Sequence, residues 1–289
     1  MAGEKKYTKL LVIYLAITFG ICWGISLLYA ISYDTMASLL GELTLQNPIV
    51  VVALNSPGVA GLIIYLIYGG FSGLKDYLCT LIPRKKDLKW FPIIIVVMSV
   101  YIVCVRLVCI LVGIDVPEMT YTPGEMLILF LRNFYEETGM IGQCCGWFGF
   151  LLPYLQAKFK NNIKAGLLTG FLFGLFLMPG YVFSSFETAT AYPFYLMQMM
   201  CFATCISYVL NETKGNVLFF LLAFWIAASG SKLQFYYFIP SVQVVQIALF
   251  VVLFIIMYFV FKKRNEGKKP EEVLQMFPDF IKREGKSKN

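Results

Sequence analysis

Runs of about twenty apolar residues follow one another along this 289-residue chain, and in lipid such a run satisfies its backbone groups internally as an α-helix. About eight runs are long enough to cross roughly 30 Å of hydrocarbon, at 10–31, 48–68, 91–112, 126–152, 165–183, 192–210, 216–231 and 239–261. With 59% hydrophobic, 17% aromatic and only 14% charged residues, too little polar surface remains for a water-soluble body of this size. The expectation is therefore an all-α polytopic membrane protein, with a short N-terminus (1–9), one transmembrane domain (10–261) and a basic tail (262–289). The first run is too long for a signal-peptide core and reads as a retained span.

Charge orients the runs. Lys5, Lys6 and Lys9 precede the first, whereas the loop after it carries Asp34 and Glu42. Lys75, Arg84, Lys85, Lys86 and Lys89 mark the next loop as cytoplasmic. Asp115, Glu118 and Glu125 mark the following one as external, and Lys158, Lys160 and Lys164 return to the cytoplasm. Both termini then lie in the cytoplasm, the loop at Glu187 lies outside, and Lys232 is the one lysine on the wrong side. The tail beyond the last run reads as solvated, with Val273, Leu274, Met276, Phe277, Phe280 and Ile281 available for a short interfacial helix.

The chain has no histidine, which removes the commonest metal ligand and the only side chain that titrates near neutrality unperturbed. No metal and no cofactor is expected, and no nucleic-acid motif is present. Seven of the eight cysteines fall within apolar runs and read as small buried hydrophobes. For Cys144 and Cys145, adjacent but without a base, core packing or lipidation is expected rather than nucleophilic chemistry.

The most informative stretch is Tyr135 to Pro179. It opens on Glu136 and Glu137, a carboxylate pair inside an apolar run, and intramembrane charges are expensive enough to need a partner or a purpose. Arg132, four residues earlier, is placed to pair with Glu136 on one helix face, and Arg106 of the preceding run is expected to reach Glu137. Gly170 and Gly174 form a small-xxx-small pair suited to close helix packing.

From Cys144 to Pro179 the sequence reads CCGWFGFLLPYLQAKFKNNIKAGLLTGFLFGLFLMP. Gly146, Trp147, Gly149, Phe150, Leu151, Leu152, Pro153, Leu155, Gln156, Gly174, Leu175 and Pro179 give it a frame that resembles the second core stretch of the CPBP family of intramembrane proteins. That family includes the CAAX prenyl endopeptidases and bacteriocin-processing and immunity-associated proteins. Leu54 to Leu78 and Val209 to Phe224 are similar to its outer elements. The resemblance implies a glutamate-dependent endopeptidase ancestry, with an acid pair activating water and arginine, histidines and asparagine around it. In this register the acid pair falls on Cys144 and Cys145, the arginine on Phe148 and the first histidine on Leu177. The last histidine falls on Phe224 or Trp225, and the asparagine on Ala228 or Ser229. Glu136 and Glu137 lie eight residues too early, which on a regular helix means about 12 Å of rise and roughly 80° of rotation.

Three functions follow as expectations. One is a catalytically degenerate binder of an apolar peptide, a prenylated tail or a membrane partner, of the bacteriocin immunity or maturation type. Here the old cavity would be lined by Phe148, Leu177 and Phe224. The second is an active endopeptidase for CAAX-type or leader peptides that still uses Glu136 or Glu137. The third is a small transporter built on Arg106, Arg132, Glu136 and Glu137. Besides the lipid bilayer, the expected partners are that apolar or prenylated peptide or another membrane protein, and the expected location is a prokaryotic cell membrane.

Overall fold

The computed structural model describes residues 2–137, 139–182 and 191–277, and among them it is 80% helix with no strand. The expected loop at Glu187 and the tail residues Phe280 and Ile281 lie outside the described residues. Five helical stretches are long and apolar enough to cross a membrane: Tyr7–Ile31, Pro48–Asp87, Trp90–Leu111, Tyr192–Glu212 and Pro240–Arg264. They indicate a membrane protein, but by that criterion the count of about eight is not confirmed. Two expected runs form shorter apolar helices, Asn162–Phe176 and Leu218–Lys232, and the run at 126–152 is broken.

In chain order the helices are α1 (Ala2–Ile31), α2 (Tyr33–Leu40), α3 (Pro48–Thr80), α4 (Trp90–Leu111), α5 (Pro123–Glu136) and α6 (Met140–Gln143). A π-helical segment (Cys144–Leu151) follows, then α7 (Leu152–Phe159), α8 (Asn162–Phe176), α9 (Met178–Val182), α10 (Tyr192–Glu212), α11 (Leu218–Lys232), α12 (Pro240–Arg264) and α13 (Pro270–Val273). Local sequence sets several of the starts. Asn47 caps α3 by accepting from the Ile49 N–H at 2.8 Å, with Pro48 just inside the helix. Thr122 and Glu125 form a reciprocal capping box on α5, and the Glu125 carboxyl sits below its ordinary pKa because Thr122 donates to it. Asn161 caps α8 by accepting from Lys164 N–H at 3.0 Å.

Two interruptions shape the bundle. At Gly70 (φ 63°) α3 bends, and the stretch beyond folds back until Tyr77 stacks on Tyr65 with ring centroids 4.1 Å apart. Between α5 and α6 the helix breaks, with Glu137 at ψ 63° and Gly139 left-handed at φ 93°. The expected single span over 126–152 is therefore two elements. One of them, α5, lies alongside α11: Phe130 meets Trp225, Asn133 meets Ser229 and Glu136 meets Lys232. These contacts advance in the same sense along both helices, so α5 runs with α11 rather than against it.

The π segment packs on α3 at backbone distance. A Cβ on Gly58 would come within 2.7 Å of the Gly142 Cα, and one on Gly146 would overlap the Pro57 carbonyl. Pro153 has no N–H to offer the Gly149 carbonyl four residues before it, and α3 supplies donors to this segment. Tyr65 Oη donates to the Gly149 carbonyl at 2.6 Å and Tyr77 Oη to the Cys145 carbonyl at 3.2 Å. Trp147, fully buried, anchors the aromatic core against Tyr14, Phe173 and Phe176.

Gly170 and Gly174 face α10 as their spacing predicts, and Gly166 extends the stripe by one turn. The tail departs from a solvated segment: after Gly267 (φ 79°) it forms α13, and then Gln275, Met276 and Phe277 are buried in the bundle.

The two inner glycines should respond differently to alanine. A Cβ on Gly170 would sit 2.5 Å from the Met199 carbonyl oxygen and the Met200 Cα, which are backbone and cannot yield. At Gly174 the close neighbour is the Leu196 Cδ1, which can rotate away. We expect Gly170→Ala to cost about 1–3 kcal/mol and Gly174→Ala to be near neutral, since helix propensity returns about 0.5–1 kcal/mol. Thermal unfolding in detergent checks this, and equal losses would contradict the packing described.

Candidate functional site

The carboxylate pair sits where α5 ends. Arg132 Nε contacts Glu136 Oε1 at 2.6 Å, the expected pairing of residues four apart. Arg132 is not a buried partner, however, because its side chain is 69% exposed. The other expected contact is absent: Arg106 does not reach Glu137. Its Nη1 donates to the Pro117, Gln234 and Phe235 carbonyls at 2.9, 3.0 and 3.3 Å, tying α4 to the chain on either side of α5 and α11.

The cation that joins both glutamates is Lys232, at the end of α11. Its Nζ lies 3.2 Å from Glu136 Oε2 and 3.4 Å from Glu137 Oε1. Lys232 was the residue that broke the pattern of basic loops, and that misfit was its sequence signal. Glu136 lies outside the five long spans, and the hydrogen bond from Lys232, with the charges of Lys232 and Arg132, holds its carboxyl below the usual carboxylate range.

Glu137 has a second role. It forms part of the wall of two abutting cavities of about 360 and 300 Å³, which also share Tyr181, Tyr195 and Phe224. The first is mainly apolar, with Cys22, Leu54, Met140, Phe176 and Leu177 in its wall and Gln143 as a polar exception. In the second, Lys232, Ser231, Gln198 and Gln246 join Phe202 and Ala228. Gln198 Nε2 donates to Gln246 Oε1 at 3.2 Å, while the Gln198 Oε1, on a residue only 7% exposed, has no partner. The buried Tyr101 hydroxyl lies against the same two amides, so the chain itself has a hydrogen-bonding group beside that oxygen.

The positions singled out by the family resemblance separate. Leu177, Phe224 and Ala228 line the chamber. Phe148 does not: it is fully buried and stacks on Phe220 with centroids 3.9 Å apart, so its expected place in the lining is corrected. Trp225 Nε1 donates to the Phe130 carbonyl at 2.9 Å, and Ser229 Oγ accepts from Asn133 at 2.9 Å, so both serve the α5 contact. Cys144 is buried in the core and the Cys145 carbonyl accepts from Tyr77. The regular-helix offset between the glutamates and this cysteine pair does not hold either, because a helix break lies on that path.

Chemically, the chamber combines an apolar wall with few polar groups, the usual composition of a ligand pocket. Its carboxylate, that of Glu137, lies 3.4 Å from the Lys232 ammonium. Sequence reasoning missed Lys232, Tyr181, Tyr195, Gln143, Gln198 and Gln246. The amides of Gln198 and Gln246 were visible as polar residues within apolar runs. Comparison with known proteins finds no family model that matches the chain and no curated protein that matches it.

Lys232→Met should destabilise the protein more than Arg132→Met, because it strips both glutamates of a shared cation. The Arg132 variant should stay within about 1 kcal/mol of the parent, as exposed ion pairs do. Since the Glu136 pKa is lowered on folding, its contribution is present above the unfolded value of about 4.3 and is lost as pH falls through the lowered folded value. The gap between parent and Lys232→Met should therefore narrow below about pH 4, as read by thermal unfolding across pH.

Proposed function

We propose that this protein is a membrane-embedded binding protein of the CPBP type, a catalytically degenerate relative of the CAAX endopeptidases that holds an apolar ligand without cleaving it. The ligand class is an apolar peptide, a prenylated tail or a partner's membrane segment, as bacteriocin immunity or maturation would require. The observation that carries the reading is the two-part chamber itself: apolar walls for the body of the ligand, with the few polar groups of Gln143, Gln198 and Gln246 among them to orient it. Further support comes from Leu177 and Phe224, which line this chamber at two positions that the resemblance equates with catalytic histidines. Hydrolysis would need a free base and aimed donors, whereas Glu137 is paired with Lys232.

The same reading takes α8, α11 and the composite stretch from α6 to α7 as crossings beside the five long spans. That makes eight in a prokaryotic cell membrane, with both termini cytoplasmic. In a cysteine-free background, Asp115→Cys should label from outside and Lys85→Cys should not. The reverse pattern would invert the topology.

Binding is tested with protein in lipid nanodiscs and a fluorescent farnesylated peptide carrying a cleavable C-terminal tripeptide. The parent should bind it and leave it intact, and Ala228→Phe or Leu177→Trp, which fill the chamber, should weaken binding at least tenfold. Glu137→Gln should leave the peptide equally intact. Cleavage that disappears in Glu137→Gln would replace this reading with the endopeptidase one.

A further inference from the structure

The buried stretch of the tail has the features of a bound peptide. After α13 the chain passes Leu274, and the Gln275 N–H donates to two side-chain oxygens at once, Gln156 Oε1 at 3.0 Å and Asn211 Oδ1 at 3.3 Å. Two residues on, the Phe277 N–H donates to the Pro153 carbonyl at 3.4 Å. The Phe277 ring, 2% exposed, sits among Tyr65, Tyr68 and Phe150 with centroids 5.2 to 5.3 Å away. Upstream, Lys160 Nζ reaches Glu271 Oε1 at 2.6 Å. An acidic residue, a backbone amide and an aromatic ring are each read by a separate group of the bundle.

The receiving groups are aligned without help from the tail. Asn162 Oδ1 accepts from both Gln156 Nε2 at 2.7 Å and Asn211 Nδ2 at 2.9 Å. Those two bonds fix the amides so that both oxygens face the incoming N–H, a preorganised acceptor pair.

Open grooves of about 680 and 260 Å³ flank the segment, the first bordered by Pro270, Val273 and Leu274 and the second by Leu274 and Gln275. Both polar atoms of the Gln275 side chain are buried without a partner, which opposes docking. The connection back to α12 is exposed from Glu266 to Pro270 and turns on left-handed Gly267. Ring burial favours docking and the two orphaned amide atoms oppose it.

We propose that the cleft between the bend of α3, the π segment and α7 is a peptide-binding site, and that residues 271–277 are its exchangeable resident ligand. The class it takes is an extended segment with an acidic residue six positions before a phenylalanine, delivered from the basic end of the bundle. With the tail in place the site is self-blocked; with the tail out, it accepts the same segment in trans.

The probe is a fluorescent peptide of residues 270–277, Pro-Glu-Glu-Val-Leu-Gln-Met-Phe, with a version ending in Ala as control. Three proteins are compared in nanodiscs: the full chain, the chain stopped after Leu274, and full-length Phe277→Ala. The stopped chain and Phe277→Ala should bind the peptide at least tenfold more tightly than the full chain, and the Ala-ending peptide should not bind. Trypsin cleavage after Lys268 should accelerate at least tenfold in Phe277→Ala. Equal peptide affinity in all three proteins would overturn the proposal. So would a stopped chain or a Phe277→Ala variant that no longer folds, because the segment would then be core rather than ligand.

Discussion

The structure depends on the contact between α3 and the π segment. Glycines on both sides bring the two backbones together at Gly58, Gly142 and Gly146. The tyrosine hydroxyls of α3 then donate to the Cys145 and Gly149 carbonyls, the second of which has Pro153, without an N–H, four residues on. Neither half stands alone: the glycines let the backbones approach, and the hydroxyls tie the Cys145 and Gly149 carbonyls across the contact. Tyr77 reaches its carbonyl because Gly70 lets α3 fold back, so the bend and the π segment specify each other.

The break at Glu137–Gly139 has a comparable effect on the chamber. A continuous helix over this stretch would have set the carboxylates about 12 Å along the axis and roughly 80° around it from the cysteine pair. Instead the chain leaves α5 at Glu137 and re-enters a helix at Met140, whose start is fixed by the Gly142 N–H donating to Asn55 Oδ1 at 3.0 Å. The interruption puts Glu137 in the wall shared by two cavities, within reach of Lys232. A charge that would be costly in lipid is paired at the rim of a cavity.

Much of the helical content was legible because apolar run length and small-residue spacing are local signals. The 48–68 and 91–112 runs became long spans, and Gly170 with Gly174 marked the α8–α10 contact correctly. Breaks were less legible. Gly139 lies within an apolar run and gives no sign, by composition, that its backbone turns left-handed. The Arg106 expectation failed because depth along a helix says nothing of azimuth, and carbonyls of the 117 and 234–235 segments turned out to be nearer than any carboxylate. Lys232 could be seen to be misplaced, yet no local pattern could say which acids it served. Phe277 lay in a charged tail whose average polarity concealed one deeply buried ring.

The glycine stripe of α8 also has a mechanical consequence. With Gly166, Gly170 and Gly174 against α10, rotation of either helix about its axis would drive a side chain into backbone, so the pair moves as one body. Leu177 follows one member of that body and Tyr195 belongs to the other, which makes this side of the chamber a fixed jaw. Any widening of the chamber must then come from the opposite jaw, where α11 and the end of α5 meet through two stacked aromatic rings, a tryptophan-to-carbonyl bond, an asparagine–serine bond and a lysine shared between two glutamates.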